Sequence, residues 1–80
     1  MVETFLKYLR FEKRYSPNTV ISYKTDLSQF SDFTAREFES TPEQANYGII
    51  RSWIIQLSES GLDAVSINRK IAALRSFYKF

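Results

Sequence analysis

The chain has no cysteine and no histidine. The first absence rules out a disulfide framework and thiol chemistry. The second removes the commonest metal ligand and the usual general base at neutral pH. Without either, no Ser-His-Asp or Cys-His relay and no His- or Cys-based metal site can be assembled. The only two glycines, Gly48 and Gly61, are too few and too far apart for a phosphate-cradling loop. No apolar run approaches the roughly 20 residues of a membrane-spanning helix. The N-terminus carries a charge every few residues, unlike a secretory signal. A cytoplasmic protein with no membrane partner is the expectation. The acids form no metal-ligand pattern, and no tyrosine has a base motif beside it, so neither a metal nor a cofactor is expected.

What is present is apolar and aromatic. Seven Phe, five Tyr and one Trp in 80 residues argue against disorder and for a single domain with a real core. That core must be used economically, because a chain this short buries only roughly 60% of its unfolded surface. The net charge of +2 conceals an uneven distribution. Residues 32–43 carry four acids and one cation, whereas Arg69, Lys70, Arg75 and Lys79 come after Asp63 with no further acid. A cationic face on one side of a small domain is the footprint sought for a polyanion partner. It is equally the composition of a solvated helix end, where cations suit the dipole.

No stretch alternates with a period of two, and four segments carry helical periodicity. Val2, Phe5, Leu6 and Leu9 predict a first helix over residues 2–14, with Phe11 opposite this stripe and Tyr8 on its flank. Ser16-Pro17 is a strong start for a second helix, with Ser16 as cap and Pro17 at the first position, where no donor is needed. Val20, Tyr23, Leu27 and Phe30 are its buried stripe over residues 17–33. Its outer face is Asn18, Ile21, Ser22, Thr25 and Gln29. Residues 34–40 read as a loop or frayed end, with Phe38 tucked back into the core. Thr41-Pro42-Glu43-Gln44 has the form of a capping box. A third helix over residues 46–60 buries Ile50, Trp53, Ile54 and Leu57, Trp53 serving as a core aromatic rather than a stacking platform. Gly61 ends that helix in a left-handed cap, Leu62 folds back, and Asp63 is placed to cap the fourth helix.

That last helix, residues 66–80, organises the chain. Ile67, Ile71, Leu74 and Tyr78 fall within about 60° of one another at 100° per residue, with Phe77 at the edge of the stripe. Ser66, Arg69, Ala73 and Ser76 lie opposite, flanked by Val65 and Lys70. On this reading Arg69 is the long probe, a small residue at 73 lets the helix approach closely, and Lys70 suits a phosphate. Arg75 is nearer the core. The sum is a small all-α bundle of four main helices with short connections.

The run SPNTVISYKTDLSQF, succeeded some thirty residues later by SGLDAVSINRKIAALRSFYKF, closely resembles the N-terminal core-binding domain of tyrosine recombinases of the phage-integrase and Xer type. The shared pattern falls on Ser16, Pro17 and Thr19; on Tyr23, Asp26 and Leu27; and on Gly61, Leu62, Ile67, Asn68, Arg69, Ile71, Leu74, Arg75, Phe77 and Tyr78. The resemblance implies a SAM-like orthogonal bundle that is a DNA-binding, non-catalytic domain. The catalytic Arg, Lys, His and nucleophilic Tyr belong to a separate C-terminal domain, so residues 1–80 are expected to be a fragment without enzymatic activity. The implied partner is the double-stranded DNA of a recombination site, met by helices 2 and 4. The residues concerned are Ser16, Asn18, Thr19, Ile21, Ser22, Thr25, Val65, Ser66, Arg69 and Lys70. Helix 1 is implied to touch other recombinase subunits in a synaptic complex, through Tyr8 and Phe11, the isolated chain being a monomer. In this sequence the helix 2 face is nearly uncharged, with only Lys24 and Asp26, so base reading there rests on Ser22, Thr25 and Ile21. The competing reading is a helical protein-interaction module in which Tyr8, Phe11, Ile49 and Ile55 matter and the basic face is only solvated.

Overall fold

The computed structural model describes residues 2–80, and among them there is no strand. Four helices run in order: α1 Val2–Phe11, α2 Pro17–Phe38, α3 Tyr47–Glu59 and α4 Ala64–Lys79, with one 3-10 turn at Pro42–Gln44. This is the all-α architecture expected from the periodicity. The long α2 is the spine, packing against α1, α3 and α4.

Local chemistry explains most of the boundaries. Ser16 caps α2, its hydroxyl accepting from the Thr19 amide at 3.2 Å. Asn46 does the same for α3, accepting from the Ile49 amide, and Asp63 for α4, accepting from the Ser66 amide, each at 3.0 Å. The α3 end is a Schellman cap, in which the Leu62 amide donates to the Leu57 carbonyl while Gly61 stands at φ 89°. Two other helix ends adopt the same left-handed geometry without glycine, at Arg14 (φ 54°) and Glu39 (φ 49°).

These two positions account for two differences from the periodicity. α1 stops at Phe11 rather than 14, because the chain turns through Arg14 and the Tyr15 amide returns to the Leu9 carbonyl. α2 continues to Phe38, five residues beyond the expected end, because Phe33 and Thr34 are both buried and carry the helix across the core edge. It ends where the Ser40 amide reaches the Thr34 carbonyl. Phe38, expected in the core, leaves nearly half its surface in solvent and only leans on Phe33. Pro42–Gln44 forms a separate single turn, and the Thr41 side chain makes no capping bond.

The core is built from Phe5, Leu9, Leu27, Phe30, Phe33, Trp53, Leu74 and Phe77. Phe5 meets Phe77 edge-on at 5.5 Å between ring centroids, and Trp53 lies against Phe30 at 4.9 Å. Trp53 is therefore a core residue, as its stripe predicts. The buried face of α4 is not the expected one. Lys70, Ala73, Leu74 and Phe77 are buried, whereas Ile67 and Ile71 are half-buried and Tyr78 is at the surface. At 100° per residue the buried face is rotated by roughly 80° from the expected stripe. The reason is that α4 packs against two helices. Ile71 and Tyr78 line a groove shared with Ile50 and Ile54 of α3, while Lys70 turns toward α2. Tyr78 finds its partner outside the helices, its hydroxyl donating to the Pro42 carbonyl.

Candidate nucleic-acid interface

α2 and α4 pack against each other, and a charge cluster fastens them where they meet. Asp26 of α2 is fully buried. Its carboxylate accepts from Arg69 Nε at 3.2 Å and Arg69 Nη2 at 2.9 Å. It also accepts from Lys70 Nζ at 2.8 Å, and that ammonium donates in addition to Gln29 Oε1. A buried carboxylate is tolerable only when paired and hydrogen-bonded, and here two cations supply three bonds. Among the described residues no buried side-chain nitrogen or oxygen lacks a partner. The bonds Arg69 donates to Asp26, and then the negative charge of that carboxylate, hold the guanidinium still further above its ordinary high value, with burial opposing.

The two cations differ in what they show to solvent. The Arg69 side chain is 46% exposed, whereas Lys70 retains 5% of its surface. Lys70 is thus no candidate for a phosphate contact. Periodicity places it on the flank of α4, but its side chain is buried between α2 and α4, where its ammonium donates to Asp26 and Gln29. Ala73 likewise does not open the outer face of α4, for it is fully buried.

The remaining expected residues form one strip on α2 and another on α4. On α2, Asn18, Ile21 and Thr25 are exposed, while Thr19 and Ser22 are half-buried. Ser16 is exposed but its hydroxyl is already engaged with Thr19. On α4, Val65 is 77% exposed and Ser66 half-buried. The α4 N-terminus adds a local field. Asp63, bonded by the Ser66 hydroxyl and then the Ser66 amide, is held below the usual carboxylate range. The two strips therefore carry hydroxyls, an amide, two apolar side chains and one half-exposed guanidinium.

On α1, Phe11 is 65% exposed with the Arg10 guanidinium 5.2 Å above its ring. Tyr8 is different from expectation, since it is half-buried against the Phe80 ring at 4.9 Å. Ile49 is also no free contact, because it packs on the core, whereas Ile55 is exposed.

Asp26, expected as one of the two charges on the outer face of helix 2, is instead fully buried. A signal did exist: it is the only acid between residues 17 and 31 and it adjoins the core residue Leu27. No helix of the described residues is long and apolar enough to cross a membrane.

Residues 2–80 match the family model of the phage integrase N-terminal SAM-like domain. The chain is 47% identical over 79 residues to tyrosine recombinase XerD of Chlorobaculum tepidum, covering 99% of this chain and 26% of that protein. It is 42% identical to tyrosine recombinase XerC of Oceanobacillus iheyensis and 38% identical to that of Bacillus subtilis, with the same two coverages in each case. The chain thus spans about a quarter of the length of the curated relatives it matches. No solved structure matches it.

Proposed function

Because the chain belongs to the phage integrase N-terminal SAM-like domain family, we propose that it is the DNA-binding, non-catalytic domain of a site-specific tyrosine recombinase. It lies on the duplex of a recombination half-site through the Ser16–Thr25 side of α2 and the Val65–Arg69 start of α4. The observation that carries this reading is the Asp26–Arg69 pair. It joins the two helices while leaving the Arg69 guanidinium half exposed. A helix about 10–12 Å across fits the roughly 12 Å major groove. Ser22 and Thr25 supply hydroxyls for base edges, Ile21 and Val65 apolar contact for a thymine methyl, and Arg69 the one strong donor group. Strand cleavage belongs, on this reading, to other parts of the longer relatives, since these 80 residues contain neither histidine nor a tyrosine with a base beside it.

Binding by the isolated chain should be weak and salt-sensitive. With Lys70 buried, roughly two to four phosphate contacts remain, for a log–log salt slope of about −2 to −4 at 0.9 per phosphate. The test is a titration of labelled chain with duplex DNA, monitored by amide chemical shifts. Perturbations should cluster at residues 16–25 and 63–69. Clustering along α3 would place the interface elsewhere. A suicide substrate should give no covalent protein–DNA adduct.

A second contact is favoured by one observation, the 65% exposure of Phe11 on a helix whose other large apolar residues pack inward. We assign it to a neighbouring recombinase subunit on the same DNA.

A further inference from the structure

Resting on the DNA-binding reading above, we infer that Asp26 is a positioning residue that presents Arg69 to a guanine in the major groove, and that it sets specificity rather than affinity. A guanidinium has two edges that can bind a planar acceptor pair. Asp26 occupies the side edge, taking Nε at 3.2 Å and Nη2 at 2.9 Å. The end edge, formed by Nη1 and the second proton of Nη2, donates to no described residue. It belongs to a side chain 46% exposed, one turn beyond Ser66 on α4. Two parallel N–H donors in that arrangement match the O6 and N7 acceptors of guanine and no other base's pair in the major groove.

The burial of Asp26 is what makes it a positioner rather than an incidental partner. Its side chain is 1% exposed, and Lys70, 6% exposed, braces it from behind at 2.8 Å. The carboxylate cannot swing out to track Arg69, so Arg69 must come to it. An exposed arginine samples many rotamers and settles on any phosphate; one clamped along its side edge has a fixed plane and direction. The same carboxylate offsets the cationic charge that would otherwise favour non-specific backbone contacts. Positioning and neutralisation both act to raise the ratio of specific to non-specific binding.

The experiment begins with selection of a preferred duplex by the 80-residue chain from a pool with a randomised core of about 20 base pairs, ample for the one or two groove faces a helix pair can span. Wild type, Asp26→Asn and Arg69→Lys are then titrated with that duplex and with a scrambled duplex of the same composition, at two salt concentrations. The selected site should contain an invariant guanine whose replacement by 7-deazaguanine, which lacks the N7 acceptor, weakens wild-type binding. Asp26→Asn should lose about 5- to 150-fold of the preference for the selected duplex, the range of one bidentate base contact. It should bind the scrambled duplex as tightly as wild type or tighter, and 7-deazaguanine should cost it nothing more. Arg69→Lys keeps the charge without the fork, and should lose the same preference at an unchanged salt slope. It carries the test should Asp26→Asn fail to fold by circular dichroism. The inference is overturned if Asp26→Asn weakens both duplexes equally, if Arg69→Lys retains the full preference, or if no guanine is selected. If wild type binds no duplex at all, the DNA-binding reading itself falls, and this inference with it.

Discussion

Nζ of Lys70 lies 2.8 Å from Oδ1 of Asp26, a residue 44 positions earlier in the chain, at the buried seam of α2 and α4. A lysine so placed has its ammonium engaged within the fold and almost no surface in solvent. Lys70→Met keeps the stem and removes the ammonium. The chain should lose about 1.5–3 kcal/mol of stability in urea denaturation, the scale of a hydrogen bond to a charged group. Asp26 keeps Arg69, so collapse is not expected. The salt slope of DNA binding should be the same as in wild type. A slope shallower by about one, with stability intact, would return Lys70 to a phosphate.

Three helix ends use a left-handed residue and only one of them is glycine. Glu39→Gly should stabilise the chain by about 0.5–1 kcal/mol, since a residue with a Cβ is strained at φ 49°. Gly61→Ala should destabilise by about 1 kcal/mol through backbone strain alone, because a Cβ there would meet nothing within 4 Å. Chemical denaturation of the two variants checks both signs at once.

Phe11 and Phe5 sit six residues apart on α1 with opposite fates. Phe5→Ala should cost about 3–5 kcal/mol, since the ring is fully buried against Phe77. Phe11→Ser should shift stability by no more than about 0.5 kcal/mol. The same change in a full-length recombinase should weaken assembly on DNA, read as loss of higher-order complexes in a gel shift. A large loss of stability in the isolated chain would make Phe11 a core residue.

The Asp63 cap gives a pH signature. Its carboxyl is held low because the charged form accepts from the Ser66 hydroxyl and amide. The cap therefore stabilises α4 above the ordinary carboxylate range, and that contribution disappears as pH falls through the lowered folded-state value. The Ser66 amide resonance should titrate with a midpoint below that of a free aspartate. At the other end of α4 the sign reverses. Burial, and then the charge of Glu43, raise the Tyr78 phenol, so the stability tied to its neutral form is fully present below the ordinary tyrosine value and is lost as pH rises from there through the raised folded-state value. A Ser66 midpoint at or above that of free aspartate would show the cap is not formed in solution.

Much of this domain is decided by residues acting on their near neighbours. Ser16-Pro17 starts α2, Asn46 and Asp63 start the two helices after it, and Gly61 stops α3, because caps and turns are settled within four or five residues. The inward positions Phe5, Leu9, Leu27, Phe30, Trp53 and Leu74 come from spacing for the same reason. The family resemblance was legible too, since it rests on short motifs whose order survives in the sequence. Three features were not legible locally. The last five residues of α2 are helical because Phe33 and Thr34 dock on the core, which no propensity in 34–38 reveals. The inward face of α4 differs by roughly 80° from its apolar stripe, since a helix between two partners buries the sum of two contacts rather than one stripe. And the pairing of Asp26 with Arg69 and Lys70 is decided only by the packing of α2 on α4. A charge is driven to the surface by its hydration unless a partner of opposite sign is fixed beside it. For Lys70 that partner stands 44 residues away, so its burial could be decided only by the packing of the two helices.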